Sequence, residues 1–269
     1  MKIAVVGLGK LGAPLAAVLA SKGHDVVGID VRPEPVELLN SGRAPVDEPG
    51  LQSLVTSSRE RLLGTTDLGA AAGADVTIVL VPTPSDDGGA FSNEYVLGAL
   101  EQVGQALAAR DDYHVVVIAS TVMPGSCETV IASALEQASG REVGENLGLC
   151  YSPEFIALGN VIRDMLEPDM VLIGESDPRA GETLEHLYRG VCENDPPVRR
   201  MSLVDAELTK IAVNTYVTMK ISYAIAPRRY LPPMRVSSPR ASVTTSTSAP
   251  GSRSHRSARL FAYEIFIVT

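Results

Sequence analysis

A β-rich run, Lys2–Val6, passes directly into Gly7-Leu8-Gly9-Lys10-Leu11-Gly12 and then into a helical stretch, Leu11–Lys22. A strand that turns through glycines into a helix commits a chain to a β-α-β unit, because the crossover must return the backbone to a parallel neighbour. Gly7 permits the tight turn, Gly9 lets the backbone approach a phosphate, and Gly12 lets the helix pack against the strand. The helix start adds free N–H groups and a partial positive charge. Asp30 ends the next strand candidate, where its carboxylate can accept hydrogen bonds from the ribose on the adenine side of a dinucleotide. The combination points to NAD. The charge of Asp30 repels the 2′-phosphate of NADP, although Arg32 works against that preference.

The chain up to residue 224 repeats this alternation. Strand candidates are Lys2–Val6, Asp25–Asp30, Val76–Val81, His114–Ala119, Leu147–Tyr151 and Met170–Ile173. Helix candidates are Leu11–Lys22, Pro33–Asn40, Asn93–Ala109, Ser126–Ser139 and Pro178–Gly190. A last long helix starts near Ser202, with Leu203, Leu208, Ile211, Ala212, Thr215 and Met219 tracing an apolar stripe. The expected fold class is α/β, a Rossmann-like doubly wound parallel sheet followed by the start of a long central helix. Residues 1–200 form the expected NAD-binding domain, and 201–224 the start of the helix.

Residues 225–269 differ in composition. They hold seven Arg, one acid, twelve Ser/Thr and five Pro, a local charge of +6 against −15 for residues 1–224. Such a segment buries too little apolar surface to offset chain entropy. With 18 Arg against 5 Lys in the whole chain, the coding is read as GC-rich, so this irregular tail fits translation in a shifted frame as well as a real basic arm. The net charge of −9 argues against non-specific nucleic-acid binding. The start MKIAVVGLG is unlike a signal peptide, and no apolar run has membrane-spanning length. The expectation is a cytoplasmic protein without nucleic-acid or membrane partners. Cys127, Cys150 and Cys192 are too widely spaced for a disulfide scaffold or a zinc pattern, and the four histidines show no metal spacing and are read as surface or strand-end residues. No metal is expected. Cys127, at a helix start, is a candidate for a lowered pKa, but packing or capping is the reading preferred.

Several strings fall just beyond strand ends, where open α/β sheets bind ligands. They are Pro82-Thr83-Pro84, Ser120-Thr121-Val122-Met123-Pro124-Gly125 and Ser152-Pro153-Glu154-Phe155. With Glu48-Pro49-Gly50-Leu51 and the helix Glu207-Leu208-Thr209-Lys210-Ile211-Ala212-Val213-Asn214-Thr215, this part of the chain resembles the UDP-glucose/GDP-mannose 6-dehydrogenase family. The resemblance runs from Met1 to about Ala224. It implies an NAD-dependent oxidation of the C6 alcohol of a nucleotide sugar, UDP-glucose or a relative, to a carboxylate with two NAD, in a homodimer when the family's chain is full length.

Lys210 and Asn214, one helical turn apart, share a face and make a plausible oxyanion clamp, though an ordinary helix surface has the same spacing. By resemblance they bind the reacting end of the sugar, Lys210 joins in proton transfer, and Glu154 is the acid/base. Thr83 and Thr121 match residues that contact NAD and order water. The expected site set is therefore Glu154, Lys210, Asn214 and Thr121 for catalysis, and Gly7, Gly9, Gly12, Asp30, Thr83 and Thr121 for the cofactor.

The chain departs from the family pattern in three places. Leu158 stands where a second glutamate is common, and Pro35 where a basic residue is common. No Gly-Gly-x-Cys-x-Pro-like loop supplies the thiol for the second oxidation. The chain is expected to lack the cysteine and the second nucleotide-binding domain, and to be inactive alone. Two alternatives stay open. One is a single-step β-hydroxyacid dehydrogenase, which needs no cysteine. The other is a non-catalytic NAD-binding module.

Overall fold

A computed structural model describes residues 1–85, 91–156 and 159–230, with side chains as far as Tyr223. Leu158, His255 and residues 231–269, on which parts of the sequence reading fall, lie outside the described residues.

Parallel strands covered on both faces become near-continuous apolar runs, and the central strands have that composition. The sheet contains β1 (Lys2–Val6), β2 (Asp25–Ile29), β3 (Leu62–Thr65), β4 (Val76–Val79), β5 (His114–Ile118), β6 (Leu147–Tyr151), β7 (Val171–Glu175) and β8 (Val198–Ser202). Their order is β3-β2-β1-β4-β5-β6-β7-β8. Every pairing is parallel except β6 with β7, whose final residues meet antiparallel at Cys150–Glu175 and Tyr151–Gly174. The expected all-parallel sheet is thus mostly parallel, with one reversal at this join.

The helices are α1 (Gly12–Ser21), α2 (Pro33–Asn40), α3 (Leu51–Ser57), α4 (Glu94–Leu107), α5 (Ala132–Ser139), α6 (Val161–Leu166), α7 (Pro178–Val191) and α8 (Leu203–Tyr230). A 3-10 turn spans Leu68–Gly73, and a π-helical turn, Cys127–Ile131, leads into α5. Alternate strand residues point to opposite layers. Ile3, Val5, Val115 and Val117 pack with α1, α2, α3, α6 and α7. Ala4, Val6, Val116 and Ile118 pack with α4, α5 and the start of α8.

Five elements escaped the sequence reading: β3, β8, α3, α6 and the 3-10 turn. β3 and β8 are the sheet edges. β8 carries Arg199 and Arg200 in a run without alternation, the charged composition that keeps edges from pairing further. Helix α8 continues to Tyr230, past the residue where the tail was expected to begin.

The face by which α8 docks is distinct from its apolar stripe, of which only Leu203 is buried. Leu203, Ala206, Glu207 and Lys210 are buried, while Leu208 and Met219 are 56% and 59% exposed. The helix docks through two charged residues because both find partners in the loops at the sheet edge. Gly174 makes the approach possible: a Cβ there would lie 2.8 Å from the Ala206 Cβ and 3.0 Å from the Leu203 Cα.

His114 starts β5 and is fully buried, not a surface residue. Its Nδ1 meets the Ala74 carbonyl at 3.1 Å and its Nε2 the Thr77 hydroxyl at 2.9 Å. A neutral ring that donates from Nδ1 and accepts at Nε2 satisfies both. Burial, with the Arg110 charge adding to it, pulls its pKa from 6.5 down to about 4. The unfolded chain therefore binds the extra proton first, and stability is lost as pH falls from about 6.5 toward 4. We expect the stability difference between the natural chain and His114→Gln to shrink by up to about 3 kcal/mol over that interval, read by denaturant unfolding at stepped pH.

Candidate active site

The strand order reverses at β1, whose neighbours β2 and β4 lead away in opposite directions. A crevice at the carboxyl ends of β1 and β4 follows from that topology. Gly7 has φ +100°, and a Cβ there would sit 2.2 Å from the Leu80 carbonyl oxygen beyond β4. A Cβ at Gly12 would sit 1.8 Å from the Gly7 carbonyl oxygen, so this glycine lets α1 close on the turn. Gly9 is different: nothing lies within 4 Å of its Cβ position. The first and third glycines are required by the protein's own backbone, and the second faces open space where a phosphate can approach. The loop and the α1 start therefore fit the pyrophosphate of a dinucleotide.

Asp30 follows β2 and is 7% exposed. It accepts from the Leu8 amide at 2.9 Å and the Arg32 amide at 2.9 Å, and it pairs with the Arg32 guanidinium. Burial opposes its ionisation. The bonds from the Arg32 side chain and from the two amides outweigh that cost and hold the carboxyl below its ordinary range. Pro35 is buried in the first turn of α2 and brings no charge to this region.

Thr83 and Thr121 follow β4 and β5. Thr83 is buried and Thr121 half-buried. Their loops are joined by Ser120, whose hydroxyl accepts from the Val81 amide at 2.9 Å and donates to the Val81 carbonyl at 2.7 Å.

Glu154 follows β6. The Lys210 ammonium, arriving from α8, donates to the Glu154 backbone carbonyl at 2.5 Å and lies 4.6 Å from the centre of the Phe155 ring. Desolvation pushes the Glu154 carboxyl up to about 7, against the opposing influence of the Lys210 charge and the Tyr188 hydroxyl. Burial likewise brings Lys210 down to about 8, opposed by Glu154. An acid and a base drawn toward one pH are suited to proton transfer near neutrality. Asn214 sits half-buried one turn beyond Lys210 on α8. The structure thus brings Glu154 and Lys210 into contact, and sets Asn214, Thr83, Thr121, Asp30 and the glycine loop around the same edge of the sheet.

Three residues with parts in this site were given no role by the sequence reading. Tyr188 of α7 bonds the Ser152 hydroxyl at 2.9 Å, and Ser152 in turn donates to the Leu172 carbonyl at 2.9 Å. Both support the Glu154 segment; Ser152 opens the string after β6 without having been given this part, and no local pattern distinguishes Tyr188. Glu207 is completely buried on α8. Its carboxylate accepts from the Gly125 amide at 2.5 Å and the Cys127 amide at 2.8 Å, capping the helical turn after the Thr121 loop. A signal existed for Glu207. An acid three residues before Lys210, on the same helix face, must find donors if that face docks. EPGL has a related use: the buried Glu48 accepts from the Val161 amide at 2.7 Å and caps α6.

None of the three cysteines is a poised nucleophile. Cys127 and Cys150 are fully buried, and burial pushes both thiols up, with Glu207 adding to the effect at Cys127. The lowered pKa considered for Cys127 at its helix start is therefore overturned. Burial raises Cys192 to about 11.

Among the described residues no cluster of metal-ligating side chains occurs, and no helix is long and apolar enough to cross a membrane. We expect Glu207→Gln to cost about 1–3 kcal/mol of stability, because the amide nitrogen then faces a backbone N–H instead of accepting from it. Chemical denaturation checks the cost, and faster reaction of Cys127 with a thiol reagent would report the loosened loop.

Comparisons with known proteins agree with this geometry. Residues 1–192 match the NAD binding domain of the UDP-glucose/GDP-mannose dehydrogenase family. The chain is 38% identical to UDP-glucose 6-dehydrogenase AglM of Haloferax volcanii, over 83% of this chain and 53% of that protein. It is 36% identical to GDP-mannose 6-dehydrogenase of Pseudomonas aeruginosa, over 83% and 51%. Among solved structures, a ternary complex of GDP-mannose dehydrogenase from Pseudomonas aeruginosa superposes with a TM-score of 0.80 at 36% identity, over 83% of this chain and 51% of that one. A 3-hydroxyisobutyrate dehydrogenase of Mycobacterium tuberculosis, at 18% identity and a TM-score of 0.57 over 85% of this chain and 65% of that one, shares the fold alone. The chain spans about half the length of the curated relatives it matches. With its glycine turn, its Asp30 and the match over residues 1–192, the chain belongs to the UDP-glucose/GDP-mannose dehydrogenase family and carries that family's NAD-binding domain.

Proposed function

We propose that this chain provides the cofactor site and the proton-transfer groups for oxidising the C6 alcohol of a nucleotide sugar, UDP-glucose or GDP-mannose being the first candidates. The observation that carries the reading is the contact of Lys210 with the Glu154 segment at the carboxyl edge of the sheet. The dehydrogenases named above act on these two sugar nucleotides.

Bound NAD supplies the hydride acceptor. The chain's own residues do the rest of the first step. The Gly7–Gly12 turn and the α1 start hold the pyrophosphate, Asp30 takes the adenine-side ribose, and Thr83 and Thr121 line the approach. Glu154 in its ionised form accepts the alcohol proton. Lys210, with Asn214 one turn on, holds the oxygen as charge builds on it. The second oxidation needs a thiolate, and burial keeps all three thiols here protonated at neutral pH. We therefore assign the acid-forming step to none of these cysteines. The expected division is a cofactor domain over residues 1–200 with α8 leading away from it.

Asp30→Ala is expected to weaken NAD by about 1–3 kcal/mol, measured by calorimetric titration. Unchanged affinity would remove Asp30 from the site. Titration of Glu154, followed by carboxyl carbon NMR, should centre near 7 and move upward in Lys210→Met, because that variant loses the charge that favours the carboxylate. A midpoint near 4.5 would overturn the desolvated acid/base. Incubated with NAD and either sugar nucleotide, the chain should yield no sugar acid. Stoichiometric acid would mean that one of the cysteines acts after all.

A further inference from the structure

Asp30 carries more donors than a ribose-binding carboxylate can keep. Its Oδ1 accepts from the Arg32 amide at 2.9 Å and from Arg32 Nε at 3.2 Å. Its Oδ2 accepts from the Leu8 amide at 2.9 Å and from Arg32 Nη2 at 3.3 Å. An ionised carboxylate offers about four lone-pair sites, so all are taken. Two of these donors are backbone amides, one in the glycine turn and one at the start of α2, and neither can leave without remodelling its element. The other two belong to a single guanidinium whose side chain is 65% exposed. It makes no side-chain cap for α2, so nothing in the helix start depends on where it points. The vicinal hydroxyls of a ribose need two lone pairs on one carboxylate. The pair that can be freed is the pair the guanidinium holds.

We propose that Arg32 guards the ribose-binding carboxylate, competing with the ribose hydroxyls for Asp30 and, once displaced, standing beside the 2′ oxygen as a specificity-determining cation. The inference rests on the reading of Asp30 as the ribose acceptor. Its consequences for the two dinucleotides have opposite signs. NAD must displace an ion pair in order to bind, so Arg32 weakens NAD. NADP brings a phosphate next to Asp30, and the released guanidinium can pair with that phosphate, so Arg32 strengthens NADP. Arg32 narrows a discrimination that Asp30 alone would make wide.

Calorimetric titration of the full chain with NAD and with NADP tests this in the natural chain, Arg32→Ala, Arg32→Lys and Asp30→Ala. Thermal melts establish that each variant is folded, and an exposed side chain at a helix start is readily exchanged. Arg32→Ala should bind NAD about two- to fivefold more tightly, the worth of an exposed ion pair, and NADP about tenfold more weakly, the worth of a lost phosphate contact. Arg32→Lys keeps the charge without the two-pronged grip and should fall between on both ligands. Asp30→Ala should weaken NAD. If Asp30→Ala weakens NAD while Arg32→Ala leaves it unchanged or weaker, the guard is overturned and the ribose reading stands. If Asp30→Ala leaves NAD unchanged, the ribose reading falls and the guard with it. Unchanged NADP affinity in Arg32→Ala overturns the role as a specificity determinant.

Discussion

The buried carboxylate of Glu207 determines where the two halves of the candidate site meet. It stands on α8, yet its hydrogen bonds go to the amides of Gly125 and Cys127 in the loop after β5. Those amides open a helical turn and have no partner within it. A buried carboxylate without donors would be prohibitively costly, and two free amides under a docked helix would be costly too. Each satisfies the other, which fixes both the rotation and the height of α8 on the sheet edge. One turn further along the same face, Lys210 reaches the Glu154 carbonyl. The position of the ammonium is thus a consequence of the cap, and the cap depends on the close approach that Gly174 allows to Leu203 and Ala206.

Much of this was legible in the sequence, for reasons that differ by residue. The β1–α1 turn, Asp30 and the strand-end strings are local patterns, each written in consecutive residues, and the structure has them at the carboxyl edge as expected. The central strands were legible because burial on both faces demands unbroken apolar runs. The edges were not, since an edge strand such as β8 is selected for exposure and charge. The docked face of α8 was not legible either, because it is not the apolar stripe of the helix. Apolar spacing marks the face a helix buries when its partner is an apolar core, whereas this helix docks on loop backbone through Glu207 and Lys210. Tyr188 gave no sign, because its meeting with Ser152 and Glu154 depends on the packing of α7 against β6 and β7.

Two acids at one sheet edge are driven in opposite directions by their surroundings. Both are partly or wholly withdrawn from water, which alone would favour the neutral carboxyl in each case. At Asp30, four donors converge on the two oxygens, and the ionised form prevails. At Glu154, the nearby cation spends a close hydrogen bond on the backbone oxygen of the same residue, leaving only its longer-range field to favour the carboxylate. Desolvation then dominates. The result is a fixed negative charge after β2 and a carboxyl able to change its charge near neutral pH after β6. That contrast suits the proposed function, in which the first acid takes ribose hydroxyls at one end of a dinucleotide and the second gains and loses a proton at the other. The residue type is nearly the same at both places, so the division of labour lies in how many donors the local backbone turns toward each side chain.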